Sequence, residues 1–313
     1  MKQLIINADD FGRHQSINMA VEKAFRKGCL RSTTIMAGGK FFEHALKVVA
    51  RNPDLGVGIH LTLANGNPVL PPEKIPSLVT PEGTFHENYV EFIKLYIKGK
   101  ISRAEIQAEL AAQIEKVQRA GLKLTHFDSH QHLHHFPGII GIALKLAKAA
   151  NIPAMRVADT KIFDGAIDNV GQLIGRIGLG SLSKFAAHSA HTKNILTPDH
   201  FSGIVAGEAV TVRFLAKLIR NLEEGTTEVM LHPGKNNEIL QKYCKWQHNF
   251  EEELNAVTSP KILSPSASRY SIIFLPAYSP FVIVDAPSGC AESSHASAKI
   301  APSYSTPYSS TKR

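Results

Sequence analysis

The chain begins with a short apolar run that ends in two adjacent acids, Leu4-Ile5-Ile6-Asn7-Ala8-Asp9-Asp10-Phe11-Gly12. This order reads as a buried strand delivering paired carboxylates to a turn. Like charges side by side repel and lose hydration, so a cation or a shared proton usually compensates them. Adjacent acids also occur in plain surface turns, and the pair becomes informative through what accompanies it. His60 in Gly58-Ile59-His60-Leu61, His130 in Asp128-Ser129-His130-Gln131-His132 and His232 in His232-Pro233-Gly234 each close a strand-like stretch. In a parallel α/β barrel the C-terminal strand ends share one face, so such groups converge there. Asp and His together suit a borderline divalent cation, Zn, Fe, Co or Mn, and Mg where waters fill the shell.

The segment His126 to His135 alternates, and if extended it projects Asp128, His130, His132 and His134 to one side. Imidazoles packed this densely are costly to bury as plain core, which favours a metal or proton-transfer role. The isolated His14, His44, His86, His188, His191, His200, His248 and His295 read instead as ordinary hydrogen-bonded side chains. His232 is either a turn residue before Pro233 or, ending an apolar strand, an imidazole able to protonate a leaving group near neutral pH. Arg156, after Pro153-Ala154-Met155, is either a surface charge or a strand-end group that orients a carboxylate.

The elements that must position these groups alternate strand-like and helix-like, the pattern of βα units around a parallel sheet. Ser16 is placed to cap a helix whose Ile17, Ala20, Val21, Ala24 and Phe25 share a face, with Gly28 as its stop. Ser32 to Met36 and Leu55 to Leu63 read as strands flanking a helix over Phe41 to Ala50. Residues 64 to 100 carry Pro68, Pro71, Pro72, Pro76 and Pro81 and are too long for a plain barrel turn, which predicts a substrate lid. Ser102 and Glu105 form a capping box for a helix reaching Gly121. Leu122 to His130 is then a strand, Pro137 opens a helix to about Ala150, Val210 to Leu222 is helical, and Glu228 to Leu231 is a short strand. Residues 157 to 205 show no clear period.

The 313 residues, 43% hydrophobic, suffice for one α/β barrel or two smaller domains. The net charge of +8 is scattered, without Lys/Arg runs or aromatic-basic alternation, and excludes nucleic acid as the expected partner. Cys29, Cys244 and Cys290 lack metal-knuckle or redox spacing. The opening apolar run is too short for a signal segment, and Ile272 to Val284 is broken by Pro276 and Pro280. A cytoplasmic protein without a membrane span is expected. From Ser259 the composition shifts to 14 Ser and 7 Pro in 55 residues. The expected division is therefore a catalytic unit over 1–258 and a disordered or atypical tail over 259–313.

These motifs, in this order and over residues 1 to 258, resemble the YdjC-like (ChbG-type) carbohydrate deacetylases. The resemblance implies a distorted (β/α) barrel of the glycoside hydrolase/deacetylase superfamily type. It also implies a bound divalent metal, Mg foremost with Zn or another transition metal as the alternative, and removal of N-acetyl groups from amino sugars or chitooligosaccharides. Asp10, His60 and His130 are then the metal ligands, Asp9 the general base and His232 the general acid, with His132 and Arg156 orienting those groups or touching substrate. Homodimerisation is a family-level expectation. The rival readings are another metal hydrolase, such as a phosphoesterase, whose sites usually hold two or more metals, and a sugar-binding barrel without turnover.

Overall fold

The computed structural model describes residues 2–159, 170–204 and 209–263. Strand β1 (Lys2–Phe11) lies inside a six-stranded sheet of order β4-β3-β2-β1-β6-β5. The others are β2 (Ser32–Ile35), β3 (Gly56–Leu61), β4 (Phe127–Ser129), β5 (His200–Ser202) and β6 (Gly225–Leu231), and every pairing is parallel. Leu4, Ile6 and Ala8 of β1 and Val229 and Leu231 of β6 are buried in one core with Ile17, Val21 and Ala24 of helix α1 (Gln15–Lys27). An all-parallel sheet needs such cover, because its crossovers run through helices.

The sheet closes on itself through thin staves. Phe127 of β4 bridges Met155, Ala154 bridges Leu196, and the segment leaving Leu196 becomes β5, which pairs with β6 on the far side of β1. The ring thus returns to its start, a distorted β/α barrel whose weakest staves are held by isolated bridges. The backbone bonds Phe127 N to Ala154 O (3.0 Å), Met155 N to Leu196 O (2.8 Å) and Leu196 N to Pro153 O (2.9 Å) carry that closure.

The expected helices form, with differences at their ends. His14, not Ser16, caps α1, its Nδ1 accepting the Ser16 N–H at 3.1 Å. Helix α2 spans Phe42–Ala50, α3 Tyr89–Ile97 and α4 Arg103–Arg119. Ser102 caps α4 as expected, accepting from the Glu105 N–H, but Glu105 does not reach back. Its carboxylate accepts the N–H and Oγ–H of Ser77, both at 2.8 Å, while Ser77 Oγ accepts the Ser102 N–H at 2.8 Å. Buried Glu109 likewise accepts the Val69 and Leu70 N–H groups at 2.8 and 2.9 Å. Buried backbone donors need partners, and α4 supplies them, so the long 64–100 connection is pinned at its base rather than hinged there.

Helix α5 (Ile139–Ala149) starts two residues after Pro137, and the strand expected over Leu122 to His130 shrinks to β4. The unparsed region contains α6 (Val170–His191) and β5. Helices α7 (Val212–Arg220), α8 (Asn237–Cys244), α9 (Phe250–Thr258) and α10 (Pro260–Leu263) complete the described elements. Ile262 is buried against this body, while the expected tail from residue 264 onward lies outside the described residues.

Candidate metal and catalytic centre

Neighbouring side chains on a regular strand point to opposite faces, which would separate Asp9 from Asp10. The register of β1 against β2 breaks between Ala8 and Phe11, and Asp10 adopts a left-handed φ of 62°. Such a bulge re-aims side chains at a sheet end, and the left-handed region is uncommon for residues other than glycine. The result places both buried carboxylates at the mouth with different partners.

Asp10 meets two imidazoles. Its Oδ1 lies 3.0 Å from His130 Nδ1 and 3.4 Å from His60 Nε2, and those nitrogens are 3.3 Å apart. This compact triangle offers one oxygen and two nitrogens, all buried, and Asp10 Oδ1 has no hydrogen-bond partner among the described residues. His60 Nδ1 bonds Asp128 Oδ1 at 2.7 Å, and Thr34 Oγ1 donates to Asp128 Oδ2 at 3.1 Å. A carboxylate holding the outer ring nitrogen keeps the inner lone pair aimed inward, the usual support of a metal-ligating histidine. Arg13 Nη1 donates to Asp10 Oδ2 at 2.7 Å, leaving Oδ1 to the triangle.

The charge balance points the same way. Asp9, Asp10, Asp128 and Glu228 are buried, and among the described residues only Arg13 and Arg156 are permanent cations paired with them. Burial alone would depress His60, but the carboxylates of Asp128, Asp10 and Asp9 outweigh it and lift its pKa to about 10. Burial raises the Asp10 carboxyl, yet His130 and Arg13 beside it hold it well below the usual range. A pocket with this excess of negative charge, an orphaned oxygen and two imidazoles fits a divalent cation.

Arg156 is fully buried and organises the acids around the triangle. Its Nη1 and Nη2 donate to the two oxygens of Asp9 at 2.6 and 2.7 Å, Nη1 also lies 2.6 Å from Asp128 Oδ2, and Nε donates to Glu228 Oε1 at 2.7 Å. Asn7 Nδ2 adds a bond to Asp9 Oδ1 at 2.9 Å. Burial pushes the Asp9 carboxyl up, but the Arg156 guanidinium overcomes it and keeps Asp9 ionised far below the ordinary carboxylate range. Glu228 is the reverse case, where burial exceeds the pull of Arg156 and raises its pKa to about 7.

The histidine run does not stay extended. After Ser129 the chain enters a 3-10 turn over His130–His135 in which Gln131 and His132 take left-handed φ values of 57° and 56°. His130 therefore reaches the triangle while His134 and His135 turn away, both ring Nε2 atoms lying near the Arg156 carbonyl at 3.1 and 3.3 Å. His132 stacks on His135 at 6.0 Å and meets Phe201 edge-on at 6.1 Å, and among the described residues it has no hydrogen bond to Asp10, His60 or His130. Burial holds His132 and His134 well below the ordinary imidazole range and His126 at about 4, so these rings are neutral. His126 packs where Gly58 has no side chain, since a Cβ there would fall 2.4 Å from the ring.

His232 follows β6 and is half-buried on the cavity wall. Its N–H donates to buried Glu253, which also accepts the Val210 N–H at 3.0 Å, and its ring stands edge-on to Trp246 at 5.0 Å and His248 at 5.6 Å. Burial lowers its pKa, with Asp9 and Asp10 acting in the opposite sense. The cavity, about 1170 Å³, is bounded by Asp9, His60, His130 and His232, by Tyr89 of the long connection and by Trp246. Sequence reasoning missed Arg13, Glu228, Glu253 and His248. An acid inside the apolar run Glu228-Val229-Met230-Leu231 signals a buried charge in need of a partner. His248 sat in the alternation Trp246-His248-Phe250.

Residues 3–265 match the family model described as YdjC-like protein. A carbohydrate deacetylase of Brevibacillus brevis is 33% identical over 261 residues, covering 83% of this chain and 92% of that protein. A carbohydrate deacetylase of Thermoanaerobacter pseudethanolicus is 30% identical over 263 residues, covering 84% and 93%. Among solved structures, a protein of Enterococcus faecalis V583 named for cellobiose-phosphate cleavage superposes with a TM-score of 0.63 at 27% identity, over 85% of this chain and 93% of that one. No described helix is long and apolar enough to cross a membrane.

Proposed function

The chain belongs to the YdjC-like protein family, and from that membership and the geometry of its mouth we propose that it is a metal-dependent carbohydrate N-deacetylase, hydrolysing the acetamide of an amino sugar. The observation that carries the reading is the division of labour between adjacent acids, with Asp10 turned into the His60–His130 triangle and Asp9 turned onto Arg156. Asp10, His60 and His130 would hold the cation, Mg²⁺ with waters in its shell or Zn²⁺, either of which supplies a Lewis acid for the acetamide carbonyl and for water.

The remaining steps belong to the protein. Asp9, kept ionised by Arg156, takes a proton from the attacking water through a carboxylate oxygen that still has an unused lone pair. The amine is a poor leaving group until protonated, and His232 is the group on the cavity wall that can protonate it. Glu253 fixes the His232 backbone, so the imidazole meets substrate from a set position. His132 lines the cavity and would touch the sugar.

The deciding experiment is acetate release from a panel of N-acetylated mono- and oligosaccharides, with metal content measured on the same sample. One cation per chain and stoichiometric acetate are expected. Two cations with phosphate release from sugar phosphates would overturn the reading in favour of a phosphoesterase.

A further inference from the structure

Trp246 is the chain's single tryptophan, and it is the most exposed aromatic in contact with the His232 ring. It follows Lys245, which ends α8 in a left-handed turn (φ 50°). One face of the indole stacks on buried His248, with centroids 4.0 Å apart and planes inclined by 18°. Phe250 supports it edge-on at 5.7 Å, and Trp246 is still 37% exposed and lines the cavity. A large flat apolar surface braced from behind and left open towards a catalytic cavity is a platform for a ligand with a complementary apolar face.

The same cavity is also lined by polar groups. Asn88 and Glu87, the latter ion-paired with Lys245, come from the long connection. Gln131, held at φ 57° in the turn after His130, has a buried Oε1 without a partner among the described residues. An aromatic plane sharing one cavity with amide and carboxylate groups suits a pyranose, whose C–H face is apolar and whose hydroxyl edge donates and accepts. The cavity of about 1170 Å³ also far exceeds what an acetamide alone would occupy.

We propose that Trp246 is the stacking platform that seats a pyranose ring of the substrate, with Gln131 Oε1 accepting one of its hydroxyls, so that the acetamide is presented between Asp9 and His232. The subsite rests on the deacetylase reading above and assigns it a saccharide ring, not merely an acyl amide, as the recognised group.

Because no second indole contributes, intrinsic tryptophan fluorescence reports this position alone. The holoenzyme is titrated with the glucosamine disaccharide, the end product of deacetylation, and the metal-loaded D9N variant with the N-acetylglucosamine disaccharide. A saturable change in intensity or emission maximum is expected in both. In steady-state acetate release, W246A is expected to raise KM about tenfold or more with kcat altered less than threefold, W246F to recover part of that loss, and Q131A to raise KM to a lesser degree. Normal turnover with silent fluorescence and an unchanged KM in W246A would overturn the platform while leaving the deacetylase standing. The same signal evoked by acetate alone would also overturn it, making Trp246 an acyl wall. Absence of acetate release from every N-acetylated saccharide by the wild type would overturn the reading on which the subsite rests.

Discussion

Arg156 grips Asp9 through both carboxylate oxygens, at 2.6 and 2.7 Å, with neither residue reaching solvent to any useful extent. The guanidinium is planar, permanently charged and matched to a carboxylate edge, and the same group reaches Asp128 and Glu228. Lysine has the charge without the fork. Arg156→Lys is therefore expected to leave at least one buried acid without its partner and to destabilise the protein by about 3–5 kcal/mol, the usual cost of breaking a buried pair. Denaturant unfolding measures this, and a change below about 1 kcal/mol would show that the network contributes little.

Asp9→Asn keeps the side-chain volume beside Arg156 and removes the proposed base. Acetate release is expected to fall by about a hundredfold or more, with the metal content unchanged because the triangle belongs to Asp10. Kinetics and metal analysis on one preparation test both halves, and loss of the metal in this variant would exchange the roles of the two acids.

Much of this site was legible in the sequence. The strand-end motifs named Asp9, Asp10, His60, His130 and His232, and all five line or adjoin one mouth because parallel strands share their C-terminal ends. What the sequence could not carry was conformation set by neighbours. The bulge that gives Asp9 and Asp10 separate partners depends on the register of β2, and the left-handed pair Gln131-His132 defeats an alternation that looks extended. Helix ends moved for a similar reason. Ser16 is a good cap by type, yet His14 lies where its ring accepts the Ser16 N–H. The bond between Arg156 and Glu228 spans 72 residues, so each signals burial in sequence but not its partner.

Glu228 gives a pH signature in metal-free protein. Its folded pKa, about 7, lies above the ordinary 4.5 because burial outweighs Arg156. The folded state therefore holds this proton more tightly than the unfolded chain, so its contribution is fully present below pH 4.5 and is lost as pH rises towards 7. Glu228→Gln keeps an acceptor for Arg156 Nε and cannot ionise. The stability of the variant relative to wild type should thus improve between pH 4.5 and 7 and level off above, by up to about 3 kcal/mol. Chemical denaturation across pH checks this, and parallel curves would refute it.

Metal binding should couple to stability through Asp10. Chelation is expected to lower the Tm of the wild type, since a cation at a hundred times its Kd stabilises by about 2.7 kcal/mol. Asp10→Asn should show one Tm with and without chelator. A variant that still responds to added metal would place the cation elsewhere, for instance among His232, His248 and Glu253, whose ligand atoms also lie within 4.8 Å of one another.

The proposed role of His232 as the acid can be tested apart from the other groups by the chemistry of the leaving group. An amine departs only when protonated, whereas a nitrophenolate leaves unaided. Burial lowers the His232 pKa, so its protonated form gives up a proton readily. His232→Ala is expected to slow N-acetyl sugar hydrolysis by about 10²–10⁴-fold, while 4-nitrophenyl acetate, with Asp9 and the triangle intact, should lose less than about tenfold. Equal losses on both substrates would mean that His232 serves water attack or binding rather than departure of the amine, and a negligible loss on both would leave the amine to be protonated by Asp9 carrying the proton it took from water.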